Sequence, residues 1–120
     1  MAKVAVLGYG TVGSGIVEVI NTNQELIAKR VGCPVEVKYI LDLRDFPGDP
    51  YENLVVHDVG VIMNDPEVEI VCEAMGGTGA AYAFTKTALS KGKSVCTSNK
   101  ALVAEYGTEL IELAKANKCN

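Results

Sequence analysis

Gly8-Tyr9-Gly10-Thr11-Val12-Gly13 is a G-x-G-x-x-G run set between one apolar stretch, Val4–Leu7, and a second that reaches Ile20. Glycine costs backbone entropy and brings no packing of its own, so this spacing implies a need for the missing side chains. The chemistry it suits is the binding of a diphosphate at a strand-to-helix turn. Gly8 permits the tight turn, Gly10 admits a pyrophosphate against the backbone, and Gly13 lets the helix pack closely on the strand. Thr11 and Val12 then belong to the first helical turn, whose N–H groups and partial positive charge face the phosphates. Gly15 lies outside the pattern and reads as an aid to packing.

Further along the chain, other residues extend the same chemistry. Asp42 and Arg44 follow an apolar run that should end near an adenosine ribose. Asp42 suits a 2′-hydroxyl and therefore NAD; Arg44 suits a 2′-phosphate and therefore NADP. The choice between the two stays open. Gly76 and Gly77 end another apolar run, and bare backbone there suits the nicotinamide end of a dinucleotide. Glu73, the charge within that run, is expected to anchor a nearby backbone or hydroxyl group. Thr97-Ser98-Asn99-Lys100 brings three short polar side chains and an amine together. An amine in that position can hold a carbonyl, carboxylate or phosphate, or relay a proton. A cation in the first turn of a helix opposes the helix dipole, so structure alone gives Lys100 little reason to be there.

These residues need strands and helices in alternation. Residues 3–8 read as a buried strand, followed by a helix from Thr11 with Val12, Ile16 and Ile20 on one stripe. Thr22-Asn23-Gln24-Glu25 has the capping-box pattern, which predicts a break near Asn21 and a new helix with Leu26 and Ile27 inward. Gly32 should end it. Residues 35–41 alternate, placing Val35, Val37, Tyr39 and Leu41 on one face. The segment 42–53 reads as a surface loop, 54–57 as a short strand and 61–64 as a helical turn. Residues 69–75 form the next strand, 78–91 a helix and 94–98 a further strand. Asn99 can cap a helix from Lys100, and Gly107-Thr108 is expected to restart it. Alternation of this kind predicts parallel pairing with right-handed crossovers. The expected fold is a Rossmann-type, doubly wound α/β sheet forming a single domain over 1–120, the first part of a larger enzyme.

Composition excludes several alternatives. The chain has 120 residues, 48% of them hydrophobic and 22% charged, as in ordinary globular proteins. A net charge of −4 argues against a nucleic-acid or membrane surface as partner. No apolar run approaches the ~18 residues of a spanning helix. Cys33, Cys72, Cys96 and Cys119 form no C-x-x-C pair and His57 is the sole histidine, so a zinc site is not expected. Cys72 and Cys96 read as small core residues of a protein from the reducing cytoplasm.

The motifs GYGTVGSG, EAMGG and TSNKALVAEYGTELIELAK, in this order and spacing, resemble the amino-terminal domain of homoserine dehydrogenase over nearly the whole chain. Ser98 stands where that family often has alanine. The resemblance implies NAD(P)-dependent interconversion of L-homoserine and L-aspartate 4-semialdehyde in threonine and methionine synthesis. Gly8, Gly10, Thr11, Val12 and Gly13 would hold the pyrophosphate, Arg44 would lie near the adenosine 2′ position, and Gly76 and Gly77 would flank the nicotinamide. Lys100 would be the active-site lysine at the cofactor–substrate junction, and Thr97, Ser98, Asn99 and Lys100 itself would bind the cofactor. It also implies a second domain, absent here, that binds substrate and forms a homodimer. The alternatives are the cofactor domain of another small-substrate dehydrogenase and a nucleotide-sensing module without chemistry.

Overall fold

Ala2–Leu7 is apolar at almost every position because other elements cover both of its faces. The computed structural model describes residues 2–75, 78–97 and 99–118. Within them, β1 (Ala2–Leu7) is central. β2 (Val35–Leu41) and β3 (Val55–Val56) lie to one side, β4 (Val68–Glu73) and β5 (Ser94–Thr97) to the other. Every pairing is parallel, in the order β3-β2-β1-β4-β5. The chain therefore leaves β1 in opposite directions, and the switch point falls between β1 and β4. In such sheets ligands bind at the carboxyl ends of the strands beside that point.

Helices α1 (Thr11–Thr22) and α2 (Gln24–Val31) cover one face. There Val17, Ile16, Ile20 and Ile27 pack on Val4, Val6, Val35 and Val37. On the other face lie α3 (Val59–Met63) and α4 (Gly79–Ser90), where Ile62, Met63, Phe84 and Ala88 pack on Ala5, Leu7 and Val71. Helix α5 (Lys100–Ala116) lies against α4 through Ala81, Leu89, Leu102, Leu110 and Ala114. The doubly wound parallel arrangement is the one the alternating sequence predicts.

Several local expectations are corrected. Val12 is 52% exposed, and the inward stripe of α1 runs through Gly13, Ile16, Val17 and Ile20 instead. Gly13 takes the buried place because no side chain would fit there. The Thr22 hydroxyl donates to the Glu18 carbonyl rather than capping α2, so the capping box does not form. The helix breaks at Asn23, and Leu26 is half exposed while Ile27 packs inward. Gly32 ends α2 in the left-handed conformation, φ 91°, as expected.

In β2 the register slips between Val4, which faces Val37, and Ala5, which faces Tyr39. Lys38 is the extra residue of a bulge, which reverses the alternation beyond it. Val35, Val37 and Ile40 therefore face α1 and α2, while Tyr39 and Leu41 turn to the opposite face. The bulged Lys38 reaches Asp65 at 2.5 Å and Glu67 at 2.7 Å, and the Tyr39 hydroxyl donates to Asp65 at 2.7 Å. These donors draw the Asp65 carboxyl down to about 2, with Lys38 the largest cause.

Helix α5 is continuous through Gly107, so Gly107-Thr108 does not restart it. A glycine inside a helix costs only about 1 kcal/mol, less than breaking the ladder of a helix packed on α4. Cys96 is exposed rather than buried, because β5 is the edge strand, and its register partner Cys72 is part-buried. Gly15 has open space where a Cβ would be, so packing does not require it.

Candidate functional site

The carboxyl ends of β1, β2, β3, β4 and β5 meet at one edge, and the site is built from the turns that leave them. After Leu7 the chain turns at Gly8, whose φ of +100° favours glycine. A Cβ at Gly8 would also lie 3.0 Å from the Ala74 carbonyl oxygen at the end of β4. Gly13 is tighter still: its Cβ would come within 1.8 Å of the Gly8 carbonyl oxygen. That contact is the close helix-to-strand approach expected of the third glycine.

Gly10 differs from both. Its φ of −84° and ψ of −155° are open to any residue, and a Cβ there would meet nothing within 4 Å. Neither backbone conformation nor protein packing accounts for a glycine at this position. It stands at the N-cap of α1 and makes no side-chain cap. The helical ladder begins with Ser14 N–H donating to the Gly10 carbonyl at 2.9 Å. The amides of Thr11, Val12 and Gly13 precede it and remain outside the ladder, while the side chains of Thr11 and Val12 are exposed. Bare backbone, unclaimed N–H groups and open space over Gly10 together fit a diphosphate.

The end of β2 holds this turn in place. Gly8 N–H donates to the Leu41 carbonyl at 2.7 Å, and Tyr9 N–H donates to Asp42 Oδ2 at 3.0 Å. Asp42 also accepts from Arg44: backbone N–H at 2.9 Å, Nε at 3.0 Å and Nη2 at 3.0 Å. The Arg44 guanidinium is the main cause of holding the Asp42 carboxyl well below the usual range. The Tyr9 ring meets Phe46 edge-on at 4.9 Å between centroids, and its hydroxyl donates to Asp49 at 2.8 Å. Burial, aided by Asp49, pushes the Tyr9 phenol up to about 12. The two residues read as competitors for the adenosine 2′ group are thus paired with each other, and Asp42 fixes the glycine turn. Arg44 stays largely exposed, with its guanidinium 5.2 Å from the Phe46 ring centroid.

A cleft of about 430 Å³ opens between these elements, lined by Gly8, Asp42, Arg44, His57, Met75 and Ala80 among others. His57 and Ala80 were not expected as lining residues, whereas Met75 belongs to the second site expected at the end of β4. His57 was legible in principle, since it ends the short strand expected at 54–57, and it directly follows the observed β3.

The ends of β4 and β5 are joined by Glu73, which is 1% exposed. It accepts from Met75 N–H at 2.6 Å and from the Thr97 hydroxyl at 2.5 Å, as expected for an anchor. Thr97 Oγ1 in turn accepts from Asn99 N–H at 3.0 Å. Asn99 caps α5 by accepting from Leu102 N–H at 3.0 Å, and its Nδ2 donates to the Met75 carbonyl at 3.3 Å. Lys100 opens α5 with an exposed side chain. Thr97 and Asn99 are therefore positioning residues for the β4 and β5 ends. Gly76, Gly77 and Ser98 lie outside the described residues.

Residues 8–120 match the family described as homoserine dehydrogenase, NAD binding domain. Homoserine dehydrogenase of Bacillus subtilis is 38% identical over 125 residues, covering 98% of this chain. That of Helicobacter pylori is 35% identical over 115 residues, covering 94%. The chain spans 28% and 27% of these two relatives' lengths. The crystal structure of S. aureus homoserine dehydrogenase at pH 8.5 superimposes with a TM-score of 0.88 at 34% identity, covering 98% of this chain and 30% of that one. A hyperthermophilic archaeal homoserine dehydrogenase mutant in complex with NADPH gives a TM-score of 0.74 at 25% identity, covering 98% and 41%. No helix among the described residues is long and apolar enough to cross a membrane. The chain belongs to the homoserine dehydrogenase family, whose NAD-binding domain it represents.

Proposed function

We propose that this chain is the cofactor-binding part of a cytoplasmic, homodimeric homoserine dehydrogenase that interconverts L-homoserine and L-aspartate 4-semialdehyde. The observation that carries the proposal is Gly10, a glycine that neither a positive φ nor the space around its Cβ requires, at the turn where a diphosphate would meet the backbone. Gly8, Gly10 and Gly13, with the amides of Thr11 and Val12, hold the diphosphate. Asp42 and Arg44 lie at the adenosine 2′ group, in the cleft that Met75 and Ala80 also line. Gly76 and Gly77 lie along the nicotinamide end. When bound, the cofactor supplies or accepts the hydride. Lys100 holds a proton at the substrate oxygen, and Thr97, Ser98 and Asn99 orient it. Substrate binding and the dimer contact belong to the rest of the enzyme.

The test is a thermal-shift titration of the 120-residue chain with NAD, NADP and their reduced forms. A ligand at a hundredfold excess over its Kd stabilises the folded state by about 2.7 kcal/mol, which for a domain of this size raises Tm by roughly 10 °C. At least one dinucleotide is expected to do so, while the chain alone turns over no homoserine. Absence of any shift with all four at millimolar concentration, or homoserine oxidation by the chain alone, would overturn the proposal.

A further inference from the structure

The site described above uses none of the four cysteines, and two of them stand together. Cys72 on β4 and Cys96 on β5 are register partners. The pair before them, Val71 and Val95, belongs to the cluster packed under α3 and α4. Alternation along the strands therefore turns both cysteines to the opposite face of the sheet. There Cys72 packs at the margin of the cluster that includes Val4, Val6 and Val17. Register partners on adjacent strands stand about 4.8 Å apart, within the roughly 4.4–6.8 Å that a disulfide spans between Cα atoms. Both thiols are free, and they lie near enough to share a hydrogen bond.

The two differ in access. Cys96 is exposed, whereas Cys72 is part-buried. Burial, followed by the neighbouring Cys96 thiol, pushes the Cys72 thiol up to about 11. Cys96 is thus the sulfur that a dissolved reagent reaches, and Cys72 is the one held beside it. An accessible thiol with a second thiol placed to resolve it is the arrangement of a reversible redox site.

We propose that Cys72 and Cys96 form a dithiol–disulfide site that reacts with low-molecular-weight disulfides. The Cys96 thiolate attacks one sulfur of the reagent. A bond forms between Cys96 and that sulfur, the reagent's own S–S bond breaks, and one thiolate leaves. The Cys72 thiolate then attacks the Cys96 sulfur, closing the Cys72–Cys96 bond and expelling the second thiolate. The cysteines give up two electrons and two protons, and the reagent takes up both and departs as two thiols. The cross-link falls immediately before Glu73 and Thr97, the pair that joins the β4 and β5 ends. Oxidation therefore acts on the frame that positions Asn99.

The test is incubation of the fully reduced 120-residue chain with glutathione disulfide at about pH 8, where an ordinary thiol is partly ionised. Acid quenching, alkylation and non-reducing tryptic mapping follow. Wild type should lose two of its four thiols, become two hydrogen atoms lighter and yield one linked pair, residues 45–86 joined to residues 94–100. Dithiothreitol should restore both thiols. Cys72→Ser should stop one step earlier, with glutathione retained on Cys96. Cys96→Ser should leave Cys72 modified at least about 10-fold more slowly than Cys96 is in the first variant, since a buried thiol is inert. Wild type that stays reduced, that keeps glutathione on Cys96, or that joins either cysteine only to Cys33, Cys119 or a second chain would overturn the inference. A folded Cys72→Ser chain that takes up no glutathione at Cys96 would overturn it as well. Should a variant fail to fold, the wild-type map alone decides.

Discussion

Gly13→Ala is expected to be strongly destabilised, whether or not a ligand is present. The added methyl would lie 1.8 Å from the Gly8 carbonyl oxygen and 2.8 Å from its carbon. Both atoms are backbone, so no side chain can swing away. Relief requires α1 to retreat from β1, which would pull the fully buried Val17 off Val4 and Val6. Overpacking a core costs about 1–3 kcal/mol when side chains can adjust, and here they cannot. A loss of about 3 kcal/mol or more, taken from a total of roughly 5–15 kcal/mol, lowers Tm by more than about 10 °C. Gly15→Ala is the matched control. It lies in the same helix with open space at its Cβ and should gain about 0.5–1 kcal/mol. Circular-dichroism melts of the two variants check this, and equal melting temperatures would refute the packing argument.

Lys100→Ala, made in the full-length enzyme, should show the opposite profile. The ammonium is exposed and, among the described residues, makes no salt bridge. The frame beneath it is fixed without it, through Glu73, Thr97, Asn99 and Met75. Removing such a side chain changes stability by no more than about 0.5 kcal/mol. If Lys100 moves or holds a proton during turnover, as proposed, kcat for homoserine oxidation falls by roughly 10²–10⁴-fold. The Kd for dinucleotide should stay near that of wild type. Steady-state kinetics beside a binding titration separate the two effects, and unchanged turnover would remove Lys100 from the mechanism.

What the sequence disclosed is what local pattern can disclose. Gly8 and Gly13 answer to backbone constraints within one strand-turn-helix unit, so their spacing was enough to assign them. The same holds for Gly32 at the end of α2 and Asn99 at the start of α5, since capping chemistry is read over a few residues. The bulge at Lys38 was hidden because Val35, Val37, Tyr39 and Leu41 alternate without a break. Only pairing against Val4 and Ala5 shows that the faces exchange. Thr22 carried a genuine local signal that a competing local bond to the Glu18 carbonyl overrode, and Gly107 one that the packing of α5 on α4 overrode. Val12 looked inward because it is apolar, yet the place it would have filled belongs to Gly13. The pairing of Asp42 with Arg44 lies within three residues and could have been suspected. The bond from Tyr9 N–H to Asp42 spans 33 residues and could not. That long-range bond turns Asp42 from a free ribose acceptor into a brace for the glycine turn.

The account rests on Gly10 being kept bare for a ligand rather than for the fold, and one comparison tests that directly. Gly10→Val and wild type are melted without ligand and then titrated calorimetrically with NAD and NADP. Open space at the Cβ and an unrestricted backbone predict a stability loss of no more than about 1 kcal/mol, the cost of a poorer helix cap. Affinity for both dinucleotides should fall by roughly 100-fold or more, at about 1.4 kcal/mol per tenfold, because the side chain would occupy the diphosphate's place. A Gly10→Val chain that folds and binds NAD or NADP as tightly as wild type would contradict the account.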